Sequence, residues 1–264
     1  MTPIVRLALE EDIGTGDLTT LACVPEERRA RGRFLAREPL VVAGLGVLGE
    51  LYDEPTLRKH DGDCCQADEV VAEVAGPARL LLTRERVALN FLQRLSGVAT
   101  AARQFAEAVA GTGCRVLDTR KTTPGMRLLE KAAAAAGGIT NHRIGLFDAI
   151  LIKNNHIAAA GGVRQAIENA RVAGLPIEIE VRTRAELDEA LASGAQHLLL
   201  DNLTPAEAAD WVRLIAGRAK VELSGGITLE NVRAYAETGA DFVSSGAITH
   251  SARAMDLSFR LELL

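Results

Sequence analysis

A chain of 264 residues with 48% hydrophobic and 25% charged side chains can bury one large core or two small ones. Its formal net charge of -5 speaks against a nucleic-acid or membrane-surface partner, and aromatic residues at 3% leave no platform for stacking bases. No apolar run approaches the roughly 20 residues of a membrane span. The start, MTPIVRLALEEDIG, is acidic where a secretory leader is basic and then apolar, so the expected location is cytoplasmic.

In chain order, the first half carries short β-like runs at Gly32–Arg37, Leu40–Ala43 and Val70–Val74. Glu38–Pro39 and Asp61–Gly62–Asp63 supply turns between them. Ala78–Leu82 leads into a long helical pattern from Arg84 to about Ala110, with Val87, Phe91, Leu95 and Val98 on one face. Cys23, Cys64, Cys65 and Cys114 show no C-x-x-C spacing, so free thiols, buried or half-buried, are expected rather than a metal site.

From Arg115 the pattern becomes regular. Apolar runs stand at RVLDT, AILIK, IEIEV, HLLLD, KVELS and DFVSS. Between them, Gly162–Ala173, Ala185–Ser193, Pro205–Ala216 and Leu229–Thr238 read as amphipathic helices, stopped by Gly174, Gly194, Gly217 and Gly239. Such alternation requires parallel βα units. No G-x-G-x-x-G follows an early strand, which sets a dinucleotide fold aside. The expectation is a closed or nearly closed βα barrel over residues 114–264, after a differently patterned domain over 1–113, with packing of the final segment Ser251–Leu264 back on the first domain left open.

In a βα barrel, chemistry gathers at the carboxyl ends of the strands. The runs end in Asp118, Thr119, Arg120 and Lys121; in Lys153, Asn154, Asn155 and His156; in Glu178, Glu180 and Arg182; in Asp201 and Asn202; in Glu222 and Ser224; and in Ser244, Ser245 and Gly246. Arg120, Lys121, Arg143 and Lys153 would concentrate positive charge in an acidic protein, which suits a polyanionic substrate. His142, between Asn141 and Arg143, adds a hydrogen-bonding group. Glu180 and Asp201, from adjacent strands, suit a hydrated magnesium ion, sugar hydroxyls, a developing positive charge, or plain ion pairs with the arginines nearby. The glycines of SGGI (Ser224–Ile227) and SSGA (Ser244–Ala247) precede helices, as in a phosphate cradle.

Long motifs in fixed order then make the chain resemble the quinolinate phosphoribosyltransferases. They are ALEEDIGTGDLTT, ERVALNFLQRLSGVAT, DTRKTTPGMR, GGITNHRIGLFDAILIKNNH, LLLDN, ELSGGIT and SSGAITHS, and they span most of the sequence. The resemblance implies an amino-terminal α/β sandwich followed by an incomplete, open βα barrel, in a homodimer with shared active sites. It implies phosphoribosyl transfer from phosphoribosyl pyrophosphate to quinolinate, with magnesium and with decarboxylation, in NAD biosynthesis.

Residue by residue, Arg86 resembles the arginine given across the dimer. Arg120, Lys121, His142, Arg143 and Lys153 resemble the carboxylate- and pyrophosphate-binding set, with Lys121, Lys153, Glu180 and Asp201 in the catalytic positions. Glu180 and Asp201 resemble the acids near ribose and metal, binding the ion directly or through water. Ser224, Gly225, Gly226, Ser245 and Gly246 resemble the cradle for the ribose 5-phosphate. The sequence departs from the family at Asn154 (usually Asp), at Arg182 (usually acidic or neutral) and in the alanine run Ala132–Ala136. A paralogue of the same fold with another substrate, or a binding protein without turnover, shares these features.

Overall fold

The computed structural model describes residues 1–264. The chain opens with helices α1 (Pro3–Ile13) and α2 (Leu18–Cys23), then β1 (Arg29–Ala36), β2 (Leu40–Val41), α3 (Leu48–Leu51), β3 (Thr56–Leu57), β4 (Cys64–Cys65) and β5 (Val70–Pro77). Helix α4 (Ala78–Ala108) follows. Next come β6 (Arg115–Leu117), α5 (Arg127–Ala136), β7 (Ile150–Ile152), α6 (Asn154–Ala160), α7 (Val163–Arg171), β8 (Ile177–Val181), α8 (Arg184–Ala192) and β9 (His197–Asp201). The chain closes with α9 (Pro205–Ile215), β10 (Lys220–Ser224), α10 (Val232–Ala236), β11 (Phe242–Ser244), α11 (Ala247–His250) and β12 (Leu257–Leu263).

Two compact units result, and the chain does not divide once near residue 113. The first holds Met1–Arg103, Thr123–Gly138 and Ser251–Leu264; the second holds Gln104–Thr122 and Ile139–His250. The difference has identifiable causes. Strand β12 pairs antiparallel with β1 along its whole length, from Leu257 beside Ala36 to Leu263 beside Ala30. Helix α5 is tied down by Glu130, fully buried, whose carboxylate accepts from the Arg94 guanidinium of α4 at 2.8 and 3.0 Å.

In the first unit the sheet order is β12-β1-β5-β3, and Phe34 lies fully buried against Phe259 and Tyr52. In the second, six parallel strands run in the order β6-β11-β10-β9-β8-β7. The central strands are walled by Ile179, Leu198 and Leu200, all fully buried. A one-residue bridge adds Thr140 beside Leu117, outside β6. The sheet is therefore an open barrel, its edges being the Thr140 segment and β7.

Several local expectations shift. Asn154–His156 do not extend β7; they open α6, where His156 Nδ1 accepts the Lys153 amide at 2.9 Å. Helix α10 starts at Val232, because Asn231 Oδ1 accepts the Thr228 amide and holds a turn before it. All four thiols are free; Cys65 and Cys114 are buried, which pushes them up to about 11 and about 12, whereas Cys23 and Cys64 are exposed. No helix is long and apolar enough to cross a membrane.

Candidate active site

Strand register builds the site. In β8, β9 and β10, Glu180 lies beside Leu199, Leu199 beside Glu222, and Asp201 beside Ser224. Parallel neighbours share a face and side chains alternate, so Glu178, Glu180, Asp201, Glu222 and Ser224 all lie on one face. Leu151 beside Glu178 brings Lys153 to that face as well.

At the carboxyl ends a cleft of about 540 Å³ opens in the second unit, walled by Arg120, Lys121, Arg143, Lys153, Asp201 and Ser224 among others. Thus four predicted cations reach one cavity. Arg143 keeps its proton less firmly than usual, because burial and then the neighbouring Arg120 guanidinium both disfavour its charge. Two guanidiniums held together in this way favour an anion between them. The Arg143 side chain is also anchored, donating to the carbonyl of Ala149 at 3.1 Å.

Lys121 reaches the cleft from the loop after β6, its carbonyl accepting from Thr249 Oγ1 at 2.7 Å. Its aliphatic stem packs on Gly246, where a Cβ would lie 2.9 Å from Lys121 Cδ. Gly225 is required for a similar reason: its φ is +91°, and a Cβ there would sit 2.3 Å from Asn202 Oδ1. Asn202 itself takes a left-handed φ of 59° and donates its amide to Ser224 and its side chain to Asp201. Together they close the floor on the Ser224–Gly226 side.

Not every expected residue joins this cleft. Glu180 is 2% exposed and lies off the wall; one oxygen accepts from Arg182 and the other lies 3.3 Å from Lys153 Nζ. Ser245 is buried with its hydroxyl donated to the carbonyl of Ile227, and Ser244, one residue earlier, lines the cavity in its place. Alternation along β11 turned the other serine inward. Arg86 is exposed on α4, in the first unit.

His142 does join the cleft wall, and its ring is also engaged behind it. Its Nδ1 accepts the Arg143 amide at 2.7 Å, and its Nε2 lies 3.1 Å from Glu178 Oε2 and 3.5 Å from Glu222 Oε2. Its own amide donates to Asp118, which is fully buried. Glu178, Glu222 and Asp118 were legible only as inward residues of their strands, with nothing in their spacing to say what they would touch.

Burial, and then the charge of Glu178, pushes the Glu222 carboxyl from 4.5 up to about 8; burial raises Glu178 as well. Because the folded value of Glu222 exceeds the unfolded one, folding binds a proton between about pH 4.5 and 8. That contribution to stability is complete below the lower value and is lost as pH rises through the upper one, by at most about 1.4 kcal/mol per pH unit. Denaturant titrations across this window should show stability declining with pH, and E222Q should flatten the slope; an unchanged slope would refute the assignment.

Known proteins identify the family. Residues 98–260 match the family described as Quinolinate phosphoribosyl transferase, C-terminal domain, and residues 17–96 match its N-terminal domain. A Bacillus subtilis protein named probable nicotinate-nucleotide pyrophosphorylase [carboxylating] is 43% identical, the match covering 96% of this chain and 90% of that one. An Arabidopsis thaliana chloroplastic nicotinate-nucleotide pyrophosphorylase [carboxylating] is 39% identical over 98% of this chain and 82% of its own. The crystal structure of NadC from Streptococcus pyogenes superposes with a TM-score of 0.93 at 40% identity, covering 100% of this chain and 99% of that one. A nicotinate-nucleotide pyrophosphorylase from Pyrococcus furiosus, 16% identical with a TM-score of 0.73, shares the fold. The chain belongs to the quinolinate phosphoribosyltransferase family.

Proposed function

We propose that the chain joins quinolinate to the phosphoribosyl group of phosphoribosyl pyrophosphate and releases carbon dioxide, giving nicotinate mononucleotide and pyrophosphate for NAD biosynthesis. The observation that carries this reading is the convergence of Arg120, Lys121, Arg143 and Lys153 on one cleft in a chain of net charge -5. A substrate pair with two carboxylates and several phosphate groups supplies the missing negative charge.

The residues act mainly by position. Arginine forks hold the two carboxylates, and the lysines hold phosphate oxygens, so the ring nitrogen faces the anomeric carbon; such alignment supplies several kcal/mol of barrier reduction. The nitrogen–carbon bond forms as the bond to pyrophosphate breaks, its electron pair leaving with the pyrophosphate. Asp201, on the cleft wall, faces the positive charge that develops on the ribose. The resulting pyridinium accepts the electron pair released when the 2-carboxylate leaves as carbon dioxide, and solvent protonates that carbon. Glu180 stays out of contact and holds Lys153 and Arg182 in place.

Magnesium fits this chain through one carboxylate. Asp201 faces the cleft with a single side-chain donor, Asn202, on it, whereas Glu180 is buried and engaged by two cations. One carboxylate with phosphate oxygens is a donor set that magnesium accepts, and the ion would offset charge on the leaving pyrophosphate. Titration of Mn2+ in the presence of phosphoribosyl pyrophosphate should show about tenfold weaker binding in D201N and little change in E180Q. Equal losses would place Glu180 in the ion's shell. Arg86, exposed on α4, is read as serving the neighbouring subunit of a cytoplasmic homodimer.

The test is a product assay with quinolinate, phosphoribosyl pyrophosphate and magnesium, read by mass spectrometry. Nicotinate mononucleotide that requires all three additions supports the reading. Folded protein that binds phosphoribosyl pyrophosphate without forming product refutes it and favours the paralogue, for which N154D is the next variant.

A further inference from the structure

The barrel interior holds a second cluster that the reaction above does not use. Glu178, 6% exposed, and Glu222, 1% exposed, lie next to each other around His142 Nε2, at 3.1 and 3.5 Å from it. His197 Nε2 of β9 lies 3.4 Å from the second oxygen of Glu178. A cavity of about 350 Å³ reaches these groups and is lined by His142, Arg143, Glu178, His197 and Glu222. Buried acids are costly unless they hold something, and unlike Glu180 these two have no arginine or lysine ion-paired to them.

What they hold is set by a tautomer. The Arg143 amide can only donate, so His142 Nδ1, 2.7 Å away, must carry a lone pair and not a proton. The ring proton of neutral His142 is then on Nε2, aimed at Glu178 at 3.1 Å. This arrangement also decides against a metal. His142, Glu178 and Glu222 offer atoms within 4.8 Å of one another, a spacing a divalent cation could bridge. A metal, however, needs the Nε2 lone pair and would drive the proton onto Nδ1, against the Arg143 amide.

We propose that Glu178 and Glu222 form a positioning pair: they fix His142 as its Nε2–H tautomer, so that Nδ1 receives the Arg143 amide and the Arg143 side chain is presented to the cleft. The His142 ring, although it lines the cleft, is thereby engaged at both nitrogens within the protein. Its service to the reaction is indirect, through Arg143. Asp118, accepting the His142 amide, pins the same segment from the other side. The inference rests on the reading that Arg143 binds a substrate carboxylate.

The experiment has two arms. In the first, nitrogen-15 spectra of the wild-type protein report the His142 tautomer directly and need no substrate. A pyridine-type Nδ1 is expected; a protonated Nδ1, or one zinc per chain by elemental analysis, overturns the proposal. In the second, E178Q and E178L are compared. Glutamine can accept from His142 with its oxygen and donate to Glu222 with its amide, so E178Q should keep the quinolinate KM within about twofold. Leucine offers neither bond, and E178L should raise the quinolinate KM about tenfold while the KM for phosphoribosyl pyrophosphate stays near wild type.

Equal impairment of E178Q and E178L, or equal movement of both KM values, would overturn the positioning role. If the wild-type enzyme forms no product, the proposed function fails while the spectra still decide the tautomer.

Discussion

Replacing Arg120 by alanine is expected to lower kcat/KM for quinolinate about a thousandfold while binding of phosphoribosyl pyrophosphate persists. Arg120 lines the cationic cleft beside Arg143, and these two guanidiniums offer the planar forks that match carboxylates. Losing one side of a desolvated, doubly hydrogen-bonded charge pair costs on the order of 4 kcal/mol, which corresponds to a factor of about a thousand. Lysine at 120 should recover little, because an ammonium supplies charge without the fork. Steady-state kinetics varying each substrate, with calorimetry for phosphoribosyl pyrophosphate, would read this. Near-normal quinolinate affinity in R120A would remove Arg120 from the carboxylate site.

The largest stability effect is expected at Gly97. Glycine inside a helix ordinarily costs about 1 kcal/mol relative to alanine, so helix propensity alone predicts that G97A stabilises α4. The structure predicts the opposite sign. A Cβ at Gly97 would lie 1.9 Å from the carbonyl oxygen of Arg253. That carbonyl cannot retreat easily, for its segment is held at several points. The Arg253 guanidinium bonds Glu38 at 2.6 and 2.7 Å, Glu38 accepts the Asp256 amide, and the Met255 amide donates to Gln93. Arg253 is the main reason the Glu38 carboxyl is held down at about 2. We expect G97A to lose roughly 3 kcal/mol or more, a large share of the 5–15 kcal/mol typical of a domain. Denaturant unfolding measures it, and stability equal to or above wild type would show that the Arg253 segment yields.

Much of the second unit was legible because its strands are short apolar runs that finish in polar residues. A parallel strand buried on both faces has to be written that way. Arg120, Lys121 and Lys153 could be placed together for the same reason, and Arg143 through its cationic match to them. Finer placement depended on facts that no run displays. Whether Ser244 or Ser245 faces the cleft depends on register within a three-residue strand. That Glu180 is engaged by Arg182, two residues along and folded back onto it, shows in no run of the sequence.

Other features escaped for different reasons. The role of His142 depends on Glu178 and Glu222, which stand 36 and 80 positions later in the chain (178 − 142 and 222 − 142). Strands β3 and β4, with two residues each, carry no period at all. Strand β12 is a different case: LSFRLEL alternates apolar and polar residues throughout, yet nothing local says which sheet it will join.

The pairing of β12 with β1 has a consequence for synthesis. The second unit is complete in sequence by His250, whereas the first still lacks an outer strand of its sheet until Leu263 has been made. The usual amino-first order of assembly on the ribosome is therefore inverted in part. The segment made first waits longest, with the bonding edge of β1 unfilled while the open barrel can already fold. A truncation of the last eight residues would leave that edge exposed for good, and β1 would then be the place where misassociation begins.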